Sequence, residues 1–343
     1  MRTGFGVQDR RRAGTDVMPG PRIDFAGRVA VITGGGGALG RAFALDLAAR
    51  GAAVVVNDLG GGTDGTGGST GYADAVVDEI RAAGGKAVAN YDSVSTEAGG
   101  AAIVAAALEA FGRIDVLVCN AGNQRNGRFG ELSEEDIRSV YDVHVMGAFF
   151  TAQPAYRHMV AQGYGRIILV SSQSGVFGNP IRANYGSAKT AMIGLMNVIA
   201  QEAPDGVVIN CLFPNAIGSR MGGASPGTRP DAAFMAAAGE KARHFVDRMD
   251  PQWVAAMAGY LASDRCTTSQ NMYSVLGGKY SRLFVGLTEG WLAPNGNAPS
   301  AEGVASHIAE IDDRTSYAIP LSGLDEMDTV LAALAGSEVE EEV

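Results

Sequence analysis

The stretch Arg28-Val-Ala-Val-Ile-Thr-Gly-Gly-Gly-Gly-Ala-Leu-Gly40 decides the fold. Val29 to Thr33 is a short, nearly continuous apolar run, which suits a strand buried on both faces. The glycines that follow let the backbone turn sharply and approach a ligand closely. A helical pattern then runs from Leu39 to Arg50. A strand, a glycine loop and a helix in this order form a phosphate cradle. The helix N-terminus presents unpaired N–H groups and the positive end of its dipole. Gly34, Gly37, Ala38, Leu39 and Gly40 are therefore the residues expected against a dinucleotide pyrophosphate.

Outward from this unit the alternation repeats. Apolar runs occur at Ala53–Asn57, Lys86–Tyr91, Ile114–Cys119, Arg166–Val170, Val207–Phe213 and Asn271–Leu276. Helical patterns lie between them, at 95–111, 133–161 and 184–202 among others. Continuous apolar runs alternating with helices indicate a parallel sheet covered on both faces. The expected fold is α/β, a doubly wound parallel seven-stranded sheet of Rossmann type with helices on both faces and a C-terminal extension. Ligands belong at the carboxyl ends of its strands.

The expected organisation has a flexible leader over 1–22, with Met18 a candidate start. An NAD-binding catalytic domain follows over 23–280, with a substrate lid at 215–249. A C-terminal extension covers 281–335 and an acidic tail 336–343. Hydrophobic residues make up 46% of the 343, enough for a large core. A net charge of -10 and the absence of a basic run beyond Arg10-Arg11-Arg12 argue against a nucleic acid or an anionic membrane as partner. No apolar stretch reaches the roughly 18 residues of a membrane span. Cys119, Cys211 and Cys266 stand singly without metal-type spacing, so no metal site is expected and a reducing, cytoplasmic location is.

The second strand ends in Asp58, eighteen residues beyond Gly40. A carboxylate there can accept both adenosine ribose hydroxyls and would repel a 2′-phosphate, which favours NAD over NADP. Asp92 and Ser93 follow the third strand. Asp92 could meet the adenine amino group, or either residue could cap the next helix. Asn120-Ala121-Gly122 ends the fourth strand, where small residues let the chain pass near the cofactor and Asn120 could tie strands together.

Tyr185-Gly-Ser-Ala-Lys189 places a phenol and an ammonium on one helix face. A free phenol, with a pKa of about 10, is a poor base at neutral pH. A cation at about 4 Å in an effective dielectric of about 20 is worth roughly 4 kcal/mol, enough to bring the phenol near working pH. Ser172 ends the fifth strand, thirteen residues earlier, where its hydroxyl can hold the reacting oxygen. Ser171 and Ser174 are neighbours, with Ser171 expected on the other face.

Together these motifs, in this order and spacing, resemble the short-chain dehydrogenase/reductase family over roughly residues 25–280. The resemblance implies that Tyr185 is the acid/base, that Lys189 binds the nicotinamide ribose, and that Ser172 orients the substrate oxygen during hydride transfer. It also implies NAD contacts from Pro214 and Ser219. Three positions depart from the common pattern: Ala38 in the glycine loop, His144 in the fourth helix, and Asn215 after Pro214. All three, with Val56-Asn-Asp-Leu-Gly-Gly61 and Gly277-Gly-Lys-Tyr-Ser-Arg282, resemble the dehydrogenase part of peroxisomal D-bifunctional β-oxidation enzymes. That group oxidises (3R)-3-hydroxyacyl-CoA thioesters with NAD. His144 is either a packed residue or a support for a water chain recharging Lys189.

The expected activity is thus NAD-dependent oxidation of a (3R)-3-hydroxyacyl-CoA. A hydroxysteroid or other secondary-alcohol dehydrogenase is the alternative, and a non-catalytic nucleotide-binding scaffold the remote one. Arg125, Arg128, Arg220, Lys279 and Arg282 are candidates to meet CoA phosphates. Apolar residues on more than one side of helices 133–161 and 184–202 predict a homodimer or homotetramer.

Overall fold

The computed structural model describes residues 20–216, 232–294 and 298–341. Most of the expected leader, Met18, Ser219, Arg220 and the lid residues 217–231 thus lie outside the described residues.

One sheet organises the molecule, in the order β3-β2-β1-β4-β5-β6-β7-β8. Its strands are β1 (Val29–Thr33), β2 (Ala53–Asn57), β3 (Lys86–Asn90), β4 (Val116–Cys119), β5 (Gly165–Val170), β6 (Val207–Asn215), β7 (Met272–Leu276) and β8 (Lys279–Leu283). The first seven are parallel. The seven-stranded expectation misses one strand, because β8 turns back antiparallel on β7. Gly277 and Gly278, at φ 57° and 75°, make the two-residue turn. Two successive positive φ values match the twist of a tight hairpin, and only glycine adopts them without strain. The sheet therefore runs across the expected boundary at 280, ending at Leu283.

Alternate strand residues face opposite layers. Ile32, Val54 and Val56 pack with Phe43, Leu47, Ile80 and Leu261, from α1 (Ala38–Ala49), α2 (Gly71–Ala82) and a helix over Pro251–Ala262. Val31, Val55 and Leu169 pack with Ile103, Met159 and Met192. These come from α3 (Glu97–Phe111), from the helix over Gly147–Gln162, and from the helix over Ala183–Glu202. The chain order reverses between β1 and β4, which opens a crevice at their carboxyl ends.

The long pattern at 133–161 is two helices joined by a wider turn. Glu134–Tyr141 (α4) starts with a reciprocal Ser133–Asp136 capping box. Asp142–Met146 is a π turn, and Gly147–Gln162 (α5) continues from it. Ser174–Phe177 (α6) is a single turn, and Ala183–Glu202 (α7) carries Tyr185 and Lys189. In the lid region Ala232–Ala242 (α8) is helical, followed by Pro251–Ala262 (α9). In the extension, Gly323–Glu341 is helical, with Ser322 and Asp325 bonding reciprocally at its start.

Candidate active site

The glycine loop holds its shape through backbone proximity. Gly34 has φ 62°, and a Cβ there would lie 2.9 Å from Ala121 Cα. A side chain would push β1 and β4 apart at the crevice. Asn120 pins the same point: its Nδ2 donates to Thr33 O at 3.0 Å and Gly34 O at 3.1 Å, and its N–H donates to Thr33 Oγ1 at 3.0 Å. The strand-tying role expected of Asn120 is what the structure contains. The resulting cleft has a volume of about 140 Å³. Gly34, Gly37, Ala38, Leu39, Gly40, Asp58, Asp92, Ser93, Asn120, Ala121 and Gly122 all line it. Pro214 instead sits within β6 opposite Val275.

Asp58 is buried at the end of β2. Its carboxylate accepts from Gly36 N–H at 2.9 Å and Gly60 N–H at 2.8 Å. Arg41, the nearest basic residue in sequence, is committed to a bidentate pair with Glu79 at 2.6 and 3.0 Å. The glycine loop and the carboxylate at the end of β2 thus fit a dinucleotide. Asp92 faces the cleft edge and accepts from Asn90 Nδ2 at 2.7 Å. The helix after it is capped by Thr96, so neither Asp92 nor Ser93 caps it.

Tyr185, Lys189 and Ser172 meet beside this cleft, all more than nine-tenths buried. Ser172 lies two residues beyond the end of β5, and its Oγ accepts from Ser174 N–H at 3.2 Å. Ser171 points the other way, donating to Lys189 O at 2.7 Å. The Lys189 ammonium donates to Val170 O at 2.7 Å and lies 5.7 Å from the Tyr185 ring centroid. Burial pulls its pKa down to about 8.

The phenol differs from the simple electrostatic expectation. Burial pushes the Tyr185 pKa up, while hydrogen bonding from Ser172, the charge of Arg182 and hydrogen bonding from Gln124 pull it down. Desolvation therefore outweighs the stabilising neighbours, and Lys189 is occupied by the Val170 carbonyl rather than by the phenol.

His144 lies in the π turn, edge-on to Tyr185, with ring centroids 5.3 Å apart and planes at 87°. Its Nε2 is 2.9 Å from Asn123 O and 3.1 Å from Asn123 N. Burial and the nearby Lys189 charge hold its pKa well below the usual histidine range, so the ring is neutral. Its Nδ1 is buried without a hydrogen-bond partner. An extra residue in a helical turn shifts side chains around the axis, and such turns concentrate at functional sites.

The sequence reading missed Asn123, Gln124, Arg182 and Asn184. Gln124 reaches the phenol, and its N–H donates to Thr63 O at 2.8 Å. Asn184 Nδ2 donates to Arg125 O at 2.8 Å and Asp136 O at 3.1 Å, fixing the start of α7 against α4. The overlooked signal is Asn123-Gln124-Arg125-Asn126, a polar run just past the end of β4, where the catalytic edge must be. Of the candidate phosphate-binding cations, Arg125 is tied to Asp64 O at 3.0 Å and Glu135 at 2.8 Å. Lys279 and Arg282 belong to β8.

Comparison with known proteins agrees with this geometry. The chain is 41% identical over 287 residues to a short-chain type dehydrogenase/reductase of Mycobacterium tuberculosis, covering 83% of this chain and 94% of that one. It is 40% identical over 300 residues to the peroxisomal multifunctional enzyme type 2 of Mus musculus, covering 87% of this chain but only 38% of the longer relative. Among solved structures, the full-length peroxisomal multifunctional enzyme type 2 of Drosophila melanogaster superposes with a TM-score of 0.71 at 32% identity. That match covers 92% of this chain and 50% of the other. The family model for short chain dehydrogenases matches residues 28–229, and the chain belongs to that family of oxidoreductases.

Proposed function

We propose that the protein oxidises a (3R)-3-hydroxyacyl-CoA thioester with NAD. The observation that carries the reading is the convergence of Ser172, Tyr185 and Lys189 beside a cleft whose ribose end is a buried carboxylate, Asp58. NAD, held by the glycine loop, Asp58 and Asn120-Ala121-Gly122, supplies the hydride acceptor. Ser172 holds the carbinol oxygen. Tyr185 takes its proton, with the Gln124 and Ser172 hydrogen bonds stabilising the phenolate. Lys189, anchored on Val170 O, keeps a positive charge behind the phenol. Neutral His144, through its unpartnered Nδ1, can accept from a water that carries protons to Lys189. The acyl-CoA class is supported by the likeness to peroxisomal multifunctional enzymes, two of which are named as hydratase-dehydrogenase-epimerases. Cytoplasmic residence belongs to the same proposal and is supported by three buried free cysteines.

The test mixes purified protein with NAD and a (3R)-3-hydroxyacyl-CoA while reduced cofactor is followed by absorbance. Turnover of the thioester well above that of hydroxysteroids and simple secondary alcohols is expected. Better turnover of the alcohols would reassign the substrate, and nucleotide binding without turnover of any of them would leave only a scaffold.

A further inference from the structure

Arg182 stands apart from the other arginines near the catalytic edge. Arg125 is held by Glu135, and Arg41 by Glu79. Arg182 is half-buried, yet its guanidinium has no hydrogen bond or ion pair among the described residues. The chain has 37 acidic and 27 basic residues, so acidic partners are not scarce. Leaving a partly desolvated cation unpaired is unfavourable unless something else brings the acceptor.

The backbone fixes where that cation sits. Arg182 is the N-cap residue of α7, three positions before Tyr185. Ile181 precedes it at φ 62°, a left-handed conformation that is strained for a β-branched residue. The strained residue is held by a bridge between Gly127 and Arg182 and by Gly127 N–H donating to Ile181 O at 3.0 Å. Strain of this kind persists where surrounding structure imposes it, and it concentrates at ligand sites. The guanidinium is close enough to Tyr185 for its charge to act on the phenol. Gln124 hydrogen-bonds the same phenol.

We propose that Arg182 is a specificity-determining residue that binds an acceptor oxygen on the carbon next but one to the carbinol, the C1 oxygen of a 3-hydroxyacyl group. This rests on the function proposed above and deepens it. In such a substrate the C1 oxygen necessarily lies close to the carbinol oxygen that Tyr185 and Ser172 hold. A planar guanidinium matches either source of that oxygen, a thioester carbonyl or a free carboxylate. The phosphates of CoA hang at the far end of the pantetheine arm, so a cation beside the phenol does not meet them. A plain secondary alcohol offers no oxygen at this place.

The test compares wild type, Arg182→Gln and Arg182→Lys on three probes: (3R)-3-hydroxybutyryl-CoA, free (3R)-3-hydroxybutyrate and sec-butanol. NAD binding serves as the folding control. Loss of one charge-assisted hydrogen bond predicts that Arg182→Gln raises KM for an acyl probe about tenfold more than for sec-butanol. Arg182→Lys should recover part of this. The affected acyl probe distinguishes thioester from carboxylate. A fall in kcat of similar size on all three probes, with KM unchanged, would show that Arg182 only tunes Tyr185 and would overturn the proposal, as would no effect at all. If wild type turns over the alcohol but neither acyl compound, the function reading fails. In that case a changed KM for sec-butanol in Arg182→Gln still reports whether Arg182 touches substrate.

Discussion

Lys189 pairs stability against chemistry at a single residue. Its folded pKa of about 8 lies below the ordinary 10.5, so the unfolded chain binds the proton more tightly. The resulting penalty is fully present below about pH 8 and fades as pH rises toward 10.5. A shift of this size is on the order of 3 kcal/mol, offset by the hydrogen bond to Val170 O. Lys189→Met should therefore gain about 2 kcal/mol in urea unfolding at pH 7, gain little near pH 10.5, and lose turnover. Equal or lower stability at pH 7 would contradict it. Tyr185→Phe should lower turnover by at least about a hundredfold with NAD binding nearly intact, measured by stopped-flow and titration. Because burial raises the phenol's pKa and oxidation needs the phenolate, wild-type oxidation should speed up with pH through neutrality. Asp58→Ala should weaken NAD and narrow the NAD/NADP preference. An unchanged ratio of the two kcat/KM values would place selectivity elsewhere. The residues Ser172, Tyr185, Lys189 and Asp58 were legible because their spacing from strand ends is encoded locally. Their protonation was not, because desolvation comes from elements far away in the chain.

Elements were legible where one periodicity dominates. The first seven strands stand close to the apolar runs that announced them. The π turn was not legible, since nothing in Asp142-Val-His-Val-Met146 breaks a helix, and only packing beside Tyr185 selects the wider turn. β8 left a readable sign that was passed over: Gly277-Gly278 followed by the alternation Lys279-Tyr-Ser-Arg-Leu283. Its direction matters for the extension. β7 runs toward the catalytic edge and β8 runs back, so the chain leaves the sheet at the opposite edge. Leu321 O then accepts from Gln270, just before β7, and from Gln201, near the C-terminal end of α7. Gln201 is sixteen residues beyond Tyr185, roughly 24 Å along the helix. These contacts anchor Leu321 at the end of the sheet remote from its own chain's Tyr185. A chain ending at Leu283 should stay folded and bind NAD, with a raised KM for the acyl thioester and an unchanged KM for small alcohols. An unchanged thioester KM would reduce the extension to a stabilising wrap.

At the scale of the whole molecule, apolar surface is left uncovered. Leu324, Met327 and Leu331 follow one another at helical spacing in Gly323–Glu341 and are 71%, 62% and 62% exposed. Phe149 on α5 and Val198 on α7 are exposed as well, whereas Met192 on α7 belongs to the core. The apolar stripe of Leu324, Met327 and Leu331 is the kind of surface that marks association. Light scattering at micromolar concentration should return at least twice the mass of one chain, and the mass of a single chain would refute it. The overall layering could be read from alternation alone, but which helix faces remain bare depends on where the extension docks. That reversal of direction at Gly277-Gly278 also fixes how the molecule can be held from outside. A tether attached beyond residue 321 pulls on the edge of the sheet remote from Tyr185. A support grafted there would leave the mouth of the cleft facing bulk solvent, open to substrates too bulky to slip between protein and surface.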